Sequence, residues 1–512
     1  MTLAMTPERN LLPKDEHNAT LLAHVHPDPW VNPEPTGRYN LVIIGAGTAG
    51  LITAAVAAGL RAKVALVERD LMGGDCLNVG CVPSKALIHA SRVVTQARRS
   101  SEFGLGVPPS AEIDFGAVMA RVRRIRARIS AVDSAARYRD ELGVDVFLGE
   151  ARFSGSDCVE VGEQRLRFKK AVIATGARPV IPPIEGLSEA GYRTNETIFE
   201  LTERPRRLAV IGGGPIGCEM AQAFRRLGSE VFVFDQAPHL LPREDSDAAE
   251  IVQRRFRSEG IQLELGCQLR RVDASAGEKV IQIADADGGT RAIAVDEILV
   301  GVGRAPNVGG MGLETVGVEH DPRGGVRVDD TLRTTNPRIY AAGDVCMNWK
   351  FTHAADAAAK IAVQNALFFR SQKLSKLIVP WCTYTDPEVA HVGLSQDEAA
   401  RSGREIDTFQ VPLAEIDRAV TDGEEDGFVK VYVAKGSDRI LGATIVAAHA
   451  GEMISEITLA MVGGLGLRTI LRTIHPYPTQ AEGIKRIAGA YMRTRGTPFA
   501  MKILERWMAL RR

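Results

Sequence analysis

Two glycine-rich turns, each set between a strand and a helix, constrain this chain more than any other feature. Residues 39–44 read as a strand, Gly45-Ala-Gly47-Thr-Ala-Gly50 as a turn, the run to about Gly59 as a helix, and residues 63–68 as a second strand. The order then repeats. Residues 208–211 are a strand, Gly212-Gly-Gly214-Pro-Ile-Gly217 a turn, residues 218–227 a helix and residues 231–235 a strand. Gly45 and Gly212 are 167 positions apart, and so are Glu68 and Asp235. In such a βαβ unit the first glycine makes a tight turn. The second lets backbone approach a pyrophosphate, and the third allows close helix–strand packing. The helix N-terminus offers unpaired N–H groups to the phosphates. An acidic residue at the end of the second strand takes a ribose hydroxyl pair. One such pattern alone is weak; two in the same register with the same downstream acid are not.

Two dinucleotide sites in series imply an α/β chain with two Rossmann-like domains. They suggest two cofactors exchanging a hydride, one a flavin and the other a nicotinamide. Asp235 welcomes a free 2′-hydroxyl and repels a 2′-phosphate. No Lys or Arg follows it until Arg243, so NADH is favoured over NADPH.

Composition bounds the rest. At 512 residues the chain is long enough for three or four domains. A hydrophobic fraction of 45% with 25% charged residues excludes disordered, collagen-like and small disulfide-stapled classes. Lys+Arg and Asp+Glu are 63 each, so the bulk charge asks for no nucleic-acid partner. Residues 41–60 carry no charge, but they open as a β-rich run and break at Gly45, which argues against a membrane helix. The first 36 residues are polar and Pro-rich, without an apolar signal core. A reducing cytoplasm is therefore expected, where a disulfide would be catalytic rather than structural.

Gly73-Gly74-Asp75-Cys76-Leu-Asn-Val-Gly80-Cys81-Val-Pro83-Ser-Lys85 follows the second strand directly. In a regular helix, two cysteines five apart are separated by about 7.5 Å of rise alone. A disulfide wants Cα atoms roughly 4.4–6.8 Å apart. The helix must therefore be distorted there or start later. Gly80 permits the irregularity, and Pro83 fits a first helical turn.

These residues resemble the class I flavoprotein disulfide reductases, which include glutathione reductase, dihydrolipoyl dehydrogenase and mercuric reductase. The likeness is greatest to mercuric reductase and its relatives. It rests on residues 73–87, Ala174-Thr175-Gly176, the second glycine turn, Val302-Gly303-Arg304, Ala341-Ala-Gly-Asp344 and a closing motif at 475–482, and it runs from about residue 39 to 489. It implies that electrons pass from NADH through FAD to a Cys76–Cys81 disulfide and on to a small-molecule acceptor. It makes Cys81 the flavin-facing thiol, Cys76 the interchange thiol, and Lys85 and Glu219 an ion pair near the flavin. FAD contacts are implied at Gly45, Gly47, Gly50, Glu68, Gly74, Asp75, Lys85, Ala151, Thr175, Gly176, Asp344 and Thr352. The nicotinamide cofactor falls to Gly212, Gly214, Gly217, Asp235 and Gly303. No resident metal is implied.

The family's closing motif supplies a catalytic His from the other subunit, followed by Pro-Thr and then a Glu. Here it reads His475-Pro-Tyr477-Pro-Thr-Gln-Ala-Glu482. Aligned on the Pro-Thr and Glu482, Tyr477 fills the His slot, with His475 as the alternative. Tyr, with a pKa near 10, is a better hydrogen-bond donor than a base at neutral pH. The tail lacks the vicinal cysteine pair that loads metal in mercuric reductase. The other cysteines (158, 218, 267, 346 and 382) read as buried thiols.

The implied order is an extension laid over the surface (1–36), the first part of an FAD-binding domain (37–190), and an NAD(P)-binding domain (191–308). A second FAD-binding and central part (309–376) and an α+β dimerisation domain (377–512) follow. The last has strands near 428–433 and 440–447, and the expected assembly is a homodimer with shared active sites. Residues 485–512 hold eight Lys/Arg against one Glu. From Ala500 the apolar positions form a helical stripe, so 499–512 suits either dimer packing or weak contact with an anionic membrane surface. Other readings are a dihydrolipoyl dehydrogenase-like dithiol oxidoreductase, a quinone reductase or transhydrogenase that uses flavin directly, and a redox-responsive binding protein.

Overall fold

A computed structural model describes residues 11–106, 112–275, 277–284, 289–496 and 498–512. The first ten residues of the expected extension lie outside the described residues. Contacts divide the chain into two compact units, each assembled from separate segments. One comprises Met1–Gly212, Ala223–Phe234 and Cys267–Leu377; the other comprises Gly213–Gln222, Asp235–Gly266 and Ile378–Arg512.

In the first unit the strand Arg38–Ile44 pairs in parallel with Val64–Glu68 on one side and Gln164–Ile173 on the other. Asp145–Leu148 extends the sheet beyond Val64–Glu68. Gln164–Ile173 changes character along its length. Its N-terminal half pairs antiparallel with Cys158–Val161, and its C-terminal half lies parallel between Arg38–Ile44 and Ile339–Ala341. Its sequence matches both roles: alternating burial at first, then an unbroken buried Ala171-Val-Ile173. One-faced antiparallel strands alternate, whereas doubly covered parallel strands do not. The helix Thr48–Gly59 follows the first glycine turn, and Thr352–Leu367 packs against it. The second βαβ strands follow the same plan, with Arg207–Ile211 parallel between Glu230–Asp235 and Glu297–Val300. An antiparallel meander, Gln268–Ser275, Glu278–Ala284 and Thr290–Val295, lies in this unit too.

Residues 11–36 are more than a surface extension. Asp15 caps a helix, Glu16–Val25, by accepting the Asn18 N–H at 2.8 Å. Leu21 and Val25 of this helix are fully buried, and it packs on Phe115–Ser130. The sequence hid this because two apolar positions four apart are a small signal within a polar stretch.

The second unit is built on a five-stranded antiparallel sheet in the order Pro380–Thr383, Glu388–Gly393, Ile440–Ala447, Phe428–Ala434, Ile406–Pro412. The helix Glu482–Thr494 covers it with Ile484, Ile487, Ala488 and Tyr491, a stripe of helical period. A terminal helix, Pro498–Ala509, follows. Among the described residues no helix is long and apolar enough to cross a membrane.

Candidate active site

The first glycine turn is fixed by backbone contact. Gly45 has φ +100°, and a Cβ there would sit 2.5 Å from the Ala174 carbonyl oxygen; a Cβ on Gly50 would sit 1.8 Å from the Gly45 carbonyl oxygen. Gly47 and Gly74 face one another, and a Cβ on Gly74 would lie 2.6 Å from the Gly47 Cα. Gly47 also caps Thr48–Gly59 without a side-chain hydrogen bond. The first-turn N–H groups thus get no partner from the capping side chain, as a pyrophosphate site requires. Glu68, buried at the strand end, accepts the Ala46 N–H at 2.6 Å and the Asp70 N–H at 2.7 Å. Burial raises its carboxyl above the usual range, against those two donors. These side-chain-free approaches and the strand-end carboxylate fit an adenosine diphosphate half.

The cysteines occupy a broken helix. Gly74–Asn78 forms one short helix and Cys81–Arg98 a second, with Val79 and Gly80 between them. A Cβ on Gly80 would lie 2.7 Å from the Asp75 carbonyl oxygen, so the break depends on glycine. Pro83 sits in the first turn of the second helix, as expected. Both cysteines are thiols; Cys76 is half-buried and Cys81 exposed. A hydrogen bond to Cys81, and then burial, push the Cys76 thiol up. The Thr352 hydroxyl, at the start of Thr352–Leu367, lies 3.3 Å from the Cys81 sulfur.

Arg304 gathers the acidic FAD candidates. Its guanidinium donates to Asp75 and, at 2.6 Å, to the Ala177 carbonyl, and its Nε lies 3.7 Å from Asp344. Burial raises the Asp344 carboxyl, an effect that Arg304 opposes. Thr175 donates to the Asn307 carbonyl at 2.7 Å, and Asn307 N–H returns to the Gly176 carbonyl. Ala151 begins the strand Ala151–Gly155, and Gly303 has φ +137°. The sequence argument passed over Asn307 as a site residue and read Arg304 only as part of a motif.

Lys85, in the helix Cys81–Arg98, and Gly212 belong to the first unit, and the other candidates to the second. Asp235 accepts the Gly213 N–H at 2.5 Å and the Ala237 N–H at 2.7 Å. The buried Glu219 carboxylate accepts the Tyr384 N–H at 2.9 Å. His475 and Tyr477, two residues apart, diverge. The His475 Nε2 pairs with Glu456 at 2.9 Å, and its side chain is only 6% exposed. The Tyr477 side chain is open, and its hydroxyl donates to Asp417 at 2.9 Å, which raises its pKa. Glu482 pairs with Arg486 at 3.1 Å, while its buried Oε2 has no partner among the described residues. His475, Tyr477, Glu482 and Lys485 line one groove of about 540 Å³.

A double Rossmann scaffold with a thiol pair after its first strand–turn–helix–strand unit defines a flavin-dependent disulfide oxidoreductase. Residues 39–359 match the pyridine nucleotide-disulphide oxidoreductase family and residues 379–488 its dimerisation domain. The chain belongs to this family, an FAD- and NAD(P)H-using group of oxidoreductases. It is 35% identical over 458 residues to a mercuric reductase of Bacillus cereus, covering 90% of this chain and 72% of that one. It is 34% identical over 464 residues to a dihydrolipoyl dehydrogenase of Thermus scotoductus, covering 88% of this chain and 97% of that one. Among solved structures, the flavoprotein disulfide reductase RclA of Escherichia coli in a Cu(II) complex superposes with TM-score 0.80 at 27% identity, over 89% of this chain and all 100% of that one. LpdA of Mycobacterium tuberculosis superposes with TM-score 0.79 at 28% identity, over 88% and 99%.

Proposed function

We propose that this chain is a cytoplasmic, NADH-dependent, mercuric reductase-like oxidoreductase that passes two electrons through Cys76 and Cys81 to a small thiophilic acceptor. The observation behind this reading is the broken helix that sets Cys76 and Cys81 on either side of Val79 and Gly80, with the Cys76 thiol pushed up by its hydrogen bond to Cys81. A pair already in contact across the Gly80 break needs little motion to close a disulfide. When bound, FAD supplies two-electron transfer between the nicotinamide and this pair. Gly45, Gly47, Gly50, Glu68, Gly74, Ala151, Thr175, Gly176 and Asp344 would hold it, and Gly212, Gly214, Gly217, Asp235 and Gly303 would hold NADH. Lys85 and Glu219 would form the ion pair beside the flavin. On the outward step with a disulfide acceptor, the Cys76 thiolate attacks one acceptor sulfur, breaking the acceptor S–S bond and expelling a first thiolate, which takes up a proton. The Cys81 thiolate then attacks the Cys76 sulfur, re-forming the Cys76–Cys81 bond and expelling the second thiolate, which takes up the other proton, so that the acceptor leaves as two thiols with both electrons.

The site is completed across a homodimer by the closing segment. Tyr477 serves as a hydrogen-bond donor, because its bond to Asp417 raises the affinity for its own proton; His475 is held by Glu456. A donor in place of a base favours reduction of an acceptor over oxidation of a dithiol, the dihydrolipoyl dehydrogenase direction. A disulfide or a thiol-bound metal ion suits Cys76 better than free mercuric ion, since the sequence has no cysteine after Cys382 to load a metal. The terminal helix exposes Phe499, Ile503 and Trp507 beside Lys502 and Arg506, which fits weak contact with an anionic membrane surface.

An anaerobic NADH titration followed by an acceptor panel tests the reading. Two-electron reduction is expected to give a long-wavelength absorbance that Cys81→Ser abolishes. The substitution is also expected to lower turnover with disulfide acceptors by on the order of 10²–10³-fold. Full turnover in Cys81→Ser would mean that the thiols are bypassed, as in a quinone reductase.

A further inference from the structure

The family match begins at residue 39, so the docked segment 11–36 lies outside it. It touches the redox segment at both ends. At one end, the Val25 carbonyl accepts the Met72 N–H at 3.1 Å, and the His26 Nδ1 lies 2.6 Å from the Asp70 carbonyl. At the other, contact runs through one side chain. The Asn18 amide donates to the Pro13 carbonyl at 2.8 Å, which orients its Oδ1 to accept from Arg126 at 2.5 Å. Arg126 then donates to the Asn78 carbonyl at 2.7 Å. Asn78 ends the short helix that carries Cys76, and its amide donates to the Met72 and Gly74 carbonyls at 3.0 and 2.9 Å.

The arrangement is costly. Arg123 and Arg126 are both buried and repel one another. Burial, and then Arg123, lower Arg126 to about 10. Arg123 Nη1 and Arg126 Nε have no hydrogen-bond partner among the described residues. Among the described residues Asp15, at 2.5 Å from the Arg123 Nε, is the one acid paired with these two guanidiniums, and Glu200 assists through space. An apolar helix contact would dock the segment without this burden. What the charge adds is a donor fixed on one backbone carbonyl. Asn78 precedes the Val79–Gly80 break, and that break sets the approach of Cys81 to Cys76.

We infer that the N-terminal segment is a clamp on the redox pair, with Arg126, oriented by Asn18, as the residue that positions the Asn78–Gly80 link and so sets the dithiol–disulfide equilibrium. The inference rests on Cys76 and Cys81 forming a disulfide. Loosening the link lets the reduced sulfurs separate, which lowers their effective concentration for closing the bond. The disulfide then becomes easier to reduce.

The test uses full-length holoenzyme equilibrated with mixtures of glutathione and glutathione disulfide, followed by acid quench, alkylation and mass counting of the Cys76–Cys81 peptide. The reaction balances: two thiols and one glutathione disulfide give one protein disulfide and two glutathiones. Asn18→Leu and Arg126→Met are expected to shift the exchange constant about tenfold toward the dithiol, about 30 mV for a two-electron couple. Arg126→Lys is expected to restore part of the shift. If both variants lose thermal stability but keep the exchange constant within twofold, the segment is a structural prop and the inference is wrong. If the unsubstituted enzyme forms no Cys76–Cys81 disulfide in any mixture, the proposed function fails and the clamp fails with it. If Arg126→Met does not fold, Asn18→Leu alone decides.

Discussion

The two nucleotide turns of this chain are nearly superimposable in their hydrogen bonds, and they part company at one residue. Gly45 N–H donates to Val67 and Gly212 N–H to Phe234, each at 2.8 Å. Glu68 accepts the N–H groups of Ala46 and Asp70, and Asp235 those of Gly213 and Ala237, in the same 167-residue register. The Gly73 N–H donates to the Ala46 carbonyl and the Leu241 N–H to the Gly213 carbonyl, both at 2.8 Å. Gly73 and Leu241 both take positive φ, +89° and +51°. After that shared left-handed step the copies diverge. The first runs straight into the helix Gly74–Asn78 with Cys76. The second runs through Glu244 and Asp245 into Ser246–Ser258. The turn is thus built twice, and the cysteine pair follows one copy only, immediately beyond it.

The largest test of this likeness is glycine geometry. Gly50→Ala puts a Cβ against the Gly45 carbonyl, so the first cradle cannot form; the expected result is purified protein without bound FAD, read from its visible absorbance. Gly214→Ala meets nothing within 4 Å. It is expected to keep FAD and the fold, losing only NADH affinity through its approach to the pyrophosphate. Equal loss of FAD in both variants would break the comparison.

Cofactor choice comes next. Asp235 occupies the place of Glu68, and a 2′-phosphate beside it would meet an unpaired like charge. NADH is expected to exceed NADPH in kcat/KM by on the order of tenfold, and Asp235→Arg to narrow or reverse the ratio. Equal use of the two nucleotides by the unsubstituted enzyme would show that Asp235 serves only its own Gly213 and Ala237 contacts.

How much of this was legible in the sequence follows from where the information lies. The turns and the thiol pair were readable because each depends on residue types at fixed short spacings: glycines where a Cβ would collide, an acid at a strand end, and a glycine in the break between two cysteines. The contact of Thr352 with Cys81 and the exposure of Tyr477 beside the buried His475 depend on distant segments meeting. The family motif alone could suggest them. Arg126 gave no signal at all. It lies in a helix with Arg121, Arg123, Arg124 and Arg128, and only packing separates the two buried guanidiniums from the others. Glu244 was equally silent, a carboxylate that reads as surface but is buried against Trp381.

Glu244 gives the smallest and sharpest test, because it sits just past the point where the two copies diverge. Its Oε1 accepts the Trp381 indole N–H at 2.7 Å, while its buried Oε2 has no partner among the described residues. Burial raises the carboxyl to about 7, helped by the charge of Asp245 and opposed by the Trp381 bond and Arg243. A carboxyl raised in the folded state binds its proton more tightly there than in the unfolded chain, where its pKa is about 4.3. The stability it contributes is fully present below about pH 4 and is lost as pH rises through about 7, amounting to about 4 kcal/mol at most. Glu244→Gln, which keeps the acceptor for Trp381 and carries no charge, is expected to unfold at higher temperature than the unsubstituted protein at pH 8.5. At pH 5 the two should nearly coincide. Counted from the shared left-handed residues Gly73 and Leu241, the first copy has Cys76 and no carboxylate at the matching position; Leu77→Ala, an apolar truncation beside it, should lower the melting temperature equally at both pH values. A melting difference for Glu244→Gln that does not change between pH 5 and pH 8.5 would show that Glu244 stays charged in the folded protein and that this part of the second copy is not proton-linked.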